Sequence, residues 1–331
     1  MPQKQKCKLS LYRDFLIANQ NRCSGLELSR VEPSGDVSHD SVTRFLMRPD
    51  FQPKDVWRFA KPLVESASPD LSGGYLVGDD TVLAKPFSHE NELALYQYSG
   101  QKHGLVNGIC LVNLLWTSGS GQEHIPIDYR FYYPTHDGLD KNDHFRNMLD
   151  VAEKRGFRPR YVLMDSWYCS LNNLKAIDKK DWKWITNLKS NRLVSVVKGV
   201  YIAVADLDLK PNTVRRVWLK GYRYVNVCRL DFKQGDTRYL ATSDLGLTDH
   251  ETFTEHWGGR WQIETFHRGI KHVVGIESCS ARRAQAQRTH IFASICAFLK
   301  LEVTRRATDT TWYEQKATLH RQATRRYLAN A

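Results

Sequence analysis

Apolar positions change rhythm several times along the chain. Near the start, Leu9, Leu11, Tyr12, Phe15, Leu16 and Ile17 form one amphipathic run, and Leu26, Leu28 and Val31 begin a second. A turn follows at Pro33-Ser34-Gly35-Asp36, after which Ser38 or Asp40 can cap a short helix reaching Leu46. Residues 1–66 are therefore expected to be helical. Helix, turn and helix over residues 26–46 is the pattern that enters a DNA major groove, with Arg44 as its leading contact; an ordinary pair of capped helices reads the same way. From Gly73 short apolar strands take over, at 75–78, 105–116 and 125–133, then a helix at 145–155 with Phe145, Met148, Leu149 and Ala152 on one face. A further strand, 161–164, runs into Asp165, and a helix capped by Ser170 follows. Residues 182–243 alternate in short runs (194–204, 214–218, 222–232 and 238–242) separated by Lys-Gly, Pro-Asn and Gln-Gly-Asp turns. After Thr248 the pattern is helical to the end. These rhythms divide the chain into a helical segment 1–66, an α/β core over 67–181 and 245–305, a β-rich insertion at 182–244 and a helical tail at 306–331.

Composition narrows the classes. The 331 residues are 41% hydrophobic, enough for a packed core, and the formal net charge is +12, which suggests a polyanionic partner such as nucleic acid. Seven cysteines lie scattered with no Cys-x-x-Cys pair, against a zinc ribbon or a disulfide framework. The first residues carry no apolar signal-peptide core, and no apolar run approaches the ~18 residues of a membrane span. The expectation is a cytoplasmic protein that meets no membrane. The stretch 282–326 holds ten Lys or Arg against three acids, an excess read as DNA-backbone contact, with a solvated helical face as the alternative.

Three acids stand out by context. Asp80 and Asp165 each follow an apolar strand, and Glu264 lies on a helix launched from Gly258-Gly259. Carboxylates at neighbouring strand ends, completed by one from a helix, make a cage of oxygen ligands suited to Mg²⁺ or Mn²⁺. Two such ions about 4 Å apart can activate a water or 3′-hydroxyl and stabilise the leaving oxygen in phosphoryl transfer. Either Asp alone is equally ordinary turn chemistry. The helix shifts the balance: Arg260, Glu264, His267 and Lys271 recur along one stripe, with Trp261, Phe266 and Ile270 on the other. One acid among Arg, His and Lys suits phosphate better than a core, although a solvated charged face has the same composition.

Three stretches resemble the DDE transposases of bacterial insertion sequences, in the superfamily typified by insertion sequence four. Gly78-Asp79-Asp80-Thr81-Val82-Leu83-Ala84-Lys85 resembles the first-Asp motif, and Val162-Leu163-Met164-Asp165-Ser166-Trp167-Tyr168 the second. Arg260, Glu264 and Lys271 hold the spacing of the family's Tyr-x-x-Arg-x-x-x-Glu-x-x-x-x-x-x-Lys signature, with Trp257 where that signature has Tyr. The resemblance spans about residues 70–305. It implies a ribonuclease-H-like α/β core interrupted by a β-rich insertion, and an N-terminal helical DNA-binding domain. It also implies a metal site of Asp80, Asp165 and Glu264 holding two Mg²⁺ or Mn²⁺ ions, with DNA contacts from Arg260, Lys271, His267, Trp257 and Arg44. The implied activity is cleavage of transposon ends and strand transfer into target DNA, by a cut-and-paste route through a hairpin, in a homodimer bound to double-stranded terminal inverted repeats. Asp79 is the rival to Asp80, since adjacent strand residues face opposite sides and only one should reach the metal. An aromatic of the insertion (Trp182, Trp184, Trp218, Tyr222, Tyr224 or Tyr239) is expected to stack on a flipped base. A nuclease of the same fold without joining activity, or an idle DNA-binding derivative, are the competing readings.

Overall fold

The computed structural model describes residues 5–20, 23–88, 90–100, 103–119, 122–232 and 236–330. Helices α1 (Leu9–Ala18), α2 (Gly25–Val31), α3 (His39–Leu46) and α4 (Trp57–Ala67) precede the sheet. Ser24 and Ser38 cap α2 and α3 by accepting from the backbone N–H of Glu27 and Ser41. Then come β1 (Tyr75–Ala84), β2 (Leu95–Ser99), β3 (Gly104–Thr117), β4 (Ile125–Tyr132), a short α5 (Pro134–Asp137), α6 (Lys141–Lys154), β5 (Tyr161–Met164), α7 (Leu171–Asp178) and β6 (Trp184–Leu188). Strands β7 (Leu193–Ser195), β8 (Ile202–Ala203), β9 (Val214–Leu219), β10 (Tyr224–Asp231) and β11 (Thr237–Thr242) follow. Helices α8 (His250–Gly258), α9 (Trp261–His272), α10 (Ala284–Thr308) and α11 (Trp312–Ala329) close the order.

All eleven strands form one sheet. Its centre runs β4-β3-β1-β5-β6, with β4, β3 and β1 antiparallel in turn and β5 and β6 parallel to β1. From β6 the sheet continues without a break into β11, β10, β9, β7 and β8. The β-rich segment therefore starts after Leu188 rather than at 182, because Trp184–Leu188 pairs with β5 as part of the core. The turn expected at Gln234-Gly235 lies outside the described residues.

Helices cover both faces of the central strands, so β1 is buried on both sides from Tyr75 to Gly78. On one face Phe145 of α6 presses on β1 so closely that a Cβ at Gly78 would collide with its ring. On the other, a Cβ at Gly259 would come within 2.6 Å of Tyr75, so glycine lets the α8–α9 junction lie flat against β1 and β5. Helix α10 runs through the core, buried on nearly every side from Ala286 to Leu299.

The N-terminal helices share this core. Tyr12 of α1 is fully buried and hydrogen-bonded to His290 of α10 at 2.9 Å, while Phe51 stacks on Phe292 with ring centroids 4.9 Å apart. Removing residues 1–66 would therefore strip α10 as well as any DNA contact. The tail is anchored too: Trp312 of α11 is buried against Phe298 and His124. Much of the basic excess after residue 281 is spent internally. Arg282, Arg283, Lys300 and Arg321 pair with Glu90, Glu92, Asp14 and Glu314, and Arg306 and Lys316 donate to the backbone carbonyls of Leu63 and Val273. Among the described residues no helix is long and apolar enough to cross a membrane.

Candidate active site

Strand β1 runs on to Ala84, so the two acids expected at its end lie in its middle. Its partner β3 accompanies it throughout, but β5 pairs only as far as Gly78 with Met164. Asp79 and Asp165 are the residues that follow that last pair on their two strands. Residues in register on parallel strands share a face, so Asp79 and Asp165 are the natural pair and Asp80 points the other way.

The contacts of the two acids follow this parity. Asp79 lies on the α9 side: its carboxylate, 14% exposed, is 3.7 Å from the Arg260 guanidinium, which in turn lies 3.3 Å from Glu264. Ligand atoms of Asp79, Glu264 and His267 all fall within 4.8 Å of one another. Asp80 lies on the α6 side, where it takes a 2.7 Å ion pair from Lys141 and a 2.9 Å hydrogen bond from the Tyr168 hydroxyl. The structure thus gathers Asp79, Asp80, Asp165 and Glu264 about one groove, with Asp79 nearer Glu264 and Asp80 also paired with Lys141 and Tyr168. The Asp80 carboxylate is already matched by the Lys141 ammonium, which also lines the groove.

Charge crowding marks the α9 side. Burial, then the negative charges of Asp165, Asp80 and Glu264, hold the Asp79 carboxyl well above the usual carboxylate range, against the pull of Arg260. Burial also raises Asp165, opposed by the backbone N–H groups of Tyr168 and Trp167, which donate to its Oδ1 at 3.3 and 2.9 Å. These donors close a turn that fixes the carboxylate at the strand end.

The basic residues of the predicted stripe divide. His267 is buried beside Asn113 of β3, 3.1 Å away, and burial with the nearby Lys271 and Arg260 charges pushes its imidazole down to about 3. It is neutral at physiological pH and offers a phosphate no charge. Arg260 faces the acids rather than open solvent, with its guanidinium 5.3 Å from the Trp257 ring centroid. Lys271 donates to the Val82 carbonyl at 2.9 Å and borders the groove. Arg44 is exposed on α3. Lys85 of the first motif is structural: buried, it donates to the carbonyls of Glu277 and Cys279.

A groove of about 880 Å³ opens over Asp79, Asp80, Asp165 and Glu264. Trp261, placed with Phe266 and Ile270 from sequence, instead lines it and is exposed, because it opens the helix beyond the edge of the core that buries the other two. Lys141, Trp167, Arg268 and His272 also line it, and sequence reasoning assigned none of them a role. The nearest signal was position: Trp167 follows Asp165 by two residues, and Arg268 follows Glu264 by four. Of the insertion's aromatics, Trp182, Trp184 and Tyr239 are buried, whereas Tyr224 is exposed.

Comparison with known proteins gives one family match, to the family described as "Transposase DDE domain", over residues 79–299. A protein of Sinorhizobium fredii named "Putative transposase y4zB" is 30% identical over 159 residues, 45% of this chain and 44% of that protein. The chain thus spans less than half the length of this relative. Among solved structures, "Drosophila P element transposase strand transfer complex" is 12% identical at a TM-score of 0.30, covering 91% of this chain and 65% of that one. "Mos1 transposase paired-end complex with left transposon end" is 13% identical at a TM-score of 0.19, covering 56% and 59%.

Proposed function

Since the chain belongs to the transposase DDE domain family, whose members are polynucleotidyl transferases, we propose that it cuts the ends of a mobile element and joins them to target DNA. The observation that supports this reading is the gathering of Asp79, Asp80, Asp165 and Glu264 about one groove. The strand order β4-β3-β1-β5-β6, antiparallel and then parallel, supports a ribonuclease-H-like core, with the insertion entering after its last strand.

Three crowded carboxylates form an all-oxygen donor set, which fits a hard divalent cation, Mg²⁺ or Mn²⁺, better than a softer metal. Asp79, Asp165 and Glu264 would hold two such ions. Bound there, they would supply a nucleophile at neutral pH and stabilisation for the leaving oxygen. His267, held by Asn113, walls the site rather than binding the ions. Arg260 balances the acids and keeps Glu264 oriented. Lys271 and Arg268 flank the groove where phosphates of the DNA end would lie, as point charge and fork respectively. One acid set serves one end, so two ends call for two copies of the chain. The terminal inverted repeat would be read by the exposed face of α3, Arg44 included, and excision would pass through a hairpin.

The deciding experiment is incubation of the protein with a pre-cut element end and a target plasmid in Mg²⁺. Joined product is expected; cleavage without joining would leave a nuclease of this fold instead. In the same assay Lys271→Ala should lower joining about ten- to a hundredfold at saturating DNA, the cost of one charge-assisted contact. Arg260→Lys should restore part of what Arg260→Ala loses, because a single ammonium replaces the fork. Full rates in both alanine variants would show that the two cations serve only the fold around α9. Arg44→Ala should weaken protection of the terminal repeat in a footprint while leaving the fold intact; an unchanged footprint would remove α3 from the DNA interface.

A further inference from the structure

A second groove, of about 470 Å³, lies between α1, α2 and α11. Phe15, Leu28 and Val31 give it an apolar lining, and Glu27 and Glu32, at the two ends of α2, edge it. In a chain of net charge +12, neither acid has a cationic partner among the described residues. His320 of α11 also borders this groove, and its Nε2 has no hydrogen-bond partner among the described residues. Helix α11 carries the complementary chemistry. Trp312 seats its first turn in the core, but every residue from Arg321 to Asn330 is exposed. Leu319, Ala323 and Tyr327 recur four residues apart and share a stripe, on which Tyr327 is 74% exposed. Arg325 and Arg326 stand exposed in the same stretch, with no acidic partner among the described residues. A helix end this short is marginal in water without packing, so this one calls for a partner.

We propose that this groove receives the end of α11 from a second copy of the chain and that each copy gives its own helix end in return. Tyr327 and Leu319 of the arriving helix cover Leu28 and Val31, while Arg325 and Arg326 meet the unpaired Glu27 and Glu32 at the rim. The same acids repel DNA, so the polyanion that suits the rest of this basic chain does not suit this groove. Because His320 borders the groove, α11 of one copy already lies beside the place that takes the α11 of the other. The exchange is therefore reciprocal about a two-fold axis: one patch serves both copies, and the contact closes at two. The interface supplies the two copies that the proposed function needs, but it stands on residues remote from the four acids and does not depend on their chemistry.

The test is sedimentation of the full chain, without DNA, over a range of protein concentrations. The wild-type protein should sediment at twice the mass of one chain. Tyr327→Glu should weaken the dimer about thirtyfold or more, since it removes an aromatic anchor and sets an acid against acids. Reversing the rim (Glu27→Lys with Glu32→Lys) should weaken it about tenfold, and reversing the helix (Arg325→Glu with Arg326→Glu) should do the same. All four changes in one chain should restore the dimer, because a two-fold contact brings each reversed rim to a reversed helix. The changed side chains lie at the surface, so circular dichroism and the melting of the separated monomers should match across the set. A wild-type protein that stays monomeric, a dimer that Tyr327→Glu leaves intact, or a fourfold variant no better than its two halves would overturn the proposal. A dimer with this charge pattern in a protein that does not join DNA ends would keep the interface and remove the proposed function. Joining by a protein whose dimer ignores these changes would do the reverse.

Discussion

Asp79→Asn should abolish Mg²⁺-dependent cleavage and joining, whereas Asp80→Asn should leave both measurable. Losing a ligand of a site that contributes several kcal/mol to the transition state lowers the rate about a thousandfold or more. Asp165→Ala and Glu264→Ala should match Asp79→Asn, and all three should still bind DNA, since the basic surface is untouched. In this reading Asp80 would act through its neighbours. It receives Lys141 and the Tyr168 hydroxyl on the opposite face of β1, so its loss should cost about tenfold in rate, the scale of a partner one step removed from the ions. It should also lower the melting temperature, because Lys141 is left largely buried without its carboxylate. A gel assay of end cleavage across the four variants decides the matter. An inactive Asp80→Asn beside an active Asp79→Asn would return the first ligand to Asp80 and refute the register argument.

The second large effect lies far from the acids. Glu302 of α10 is fully buried and holds three parts of the chain together. It accepts from Arg305 and from the Trp312 indole at 2.8 Å, and from the His124 backbone N–H at 3.1 Å. Those hydrogen bonds and the Arg305 charge outweigh the cost of its burial and hold its carboxyl down at about 2, against an ordinary 4.5. Glu302→Ala should therefore destabilise the protein by about 3–5 kcal/mol, because Arg305 and Trp312 lose a buried partner. A lowered carboxyl stabilises the fold above its unfolded value and withdraws that support as pH falls toward the folded one. The wild-type protein should lose roughly 3 kcal/mol from this group between about pH 4.5 and 2. Glu302→Gln should show a flatter acid limb in urea unfolding over that window. Parallel acid limbs in the two proteins would show that the carboxylate is not what links α10, α11 and β4.

Much of the architecture was legible in the sequence. The strands at 161–164 and 238–242 and the helix after Ser170 follow their apolar runs closely. Which of Asp79 and Asp80 faces α9 was not legible. Parity can be read from a strand when one face is wet, but Tyr75, Leu76, Val77 and Gly78 are all buried, since helices cover both faces, and no alternation reaches the acids. Parity depends instead on how far β5 accompanies β1, a long-range pairing with no local signal. The charge of His267 was hidden for a related reason: its partner Asn113 sits on β3, more than 150 positions away. The ion pairs of the basic stretch were hidden because their partners, among them Glu90, Glu92 and Asp14, are distant in sequence.

The unbroken pairing of β6 with β11 gives the insertion a mechanical character. Tyr239 to Thr242 are knitted to Leu188 through Ile185, and Thr186 of the same strand donates its hydroxyl to the Asp165 carbonyl at 3.1 Å. Through the β6–β11 ladder the insertion is tied directly to the strand beside Asp165. It behaves as a cantilever clamped at its root beside Asp165. A strand of DNA gripped at its outer end would be held at a fixed span from the place where the bond breaks, and a load applied there would pass along the ladder into the turn that holds Asp165.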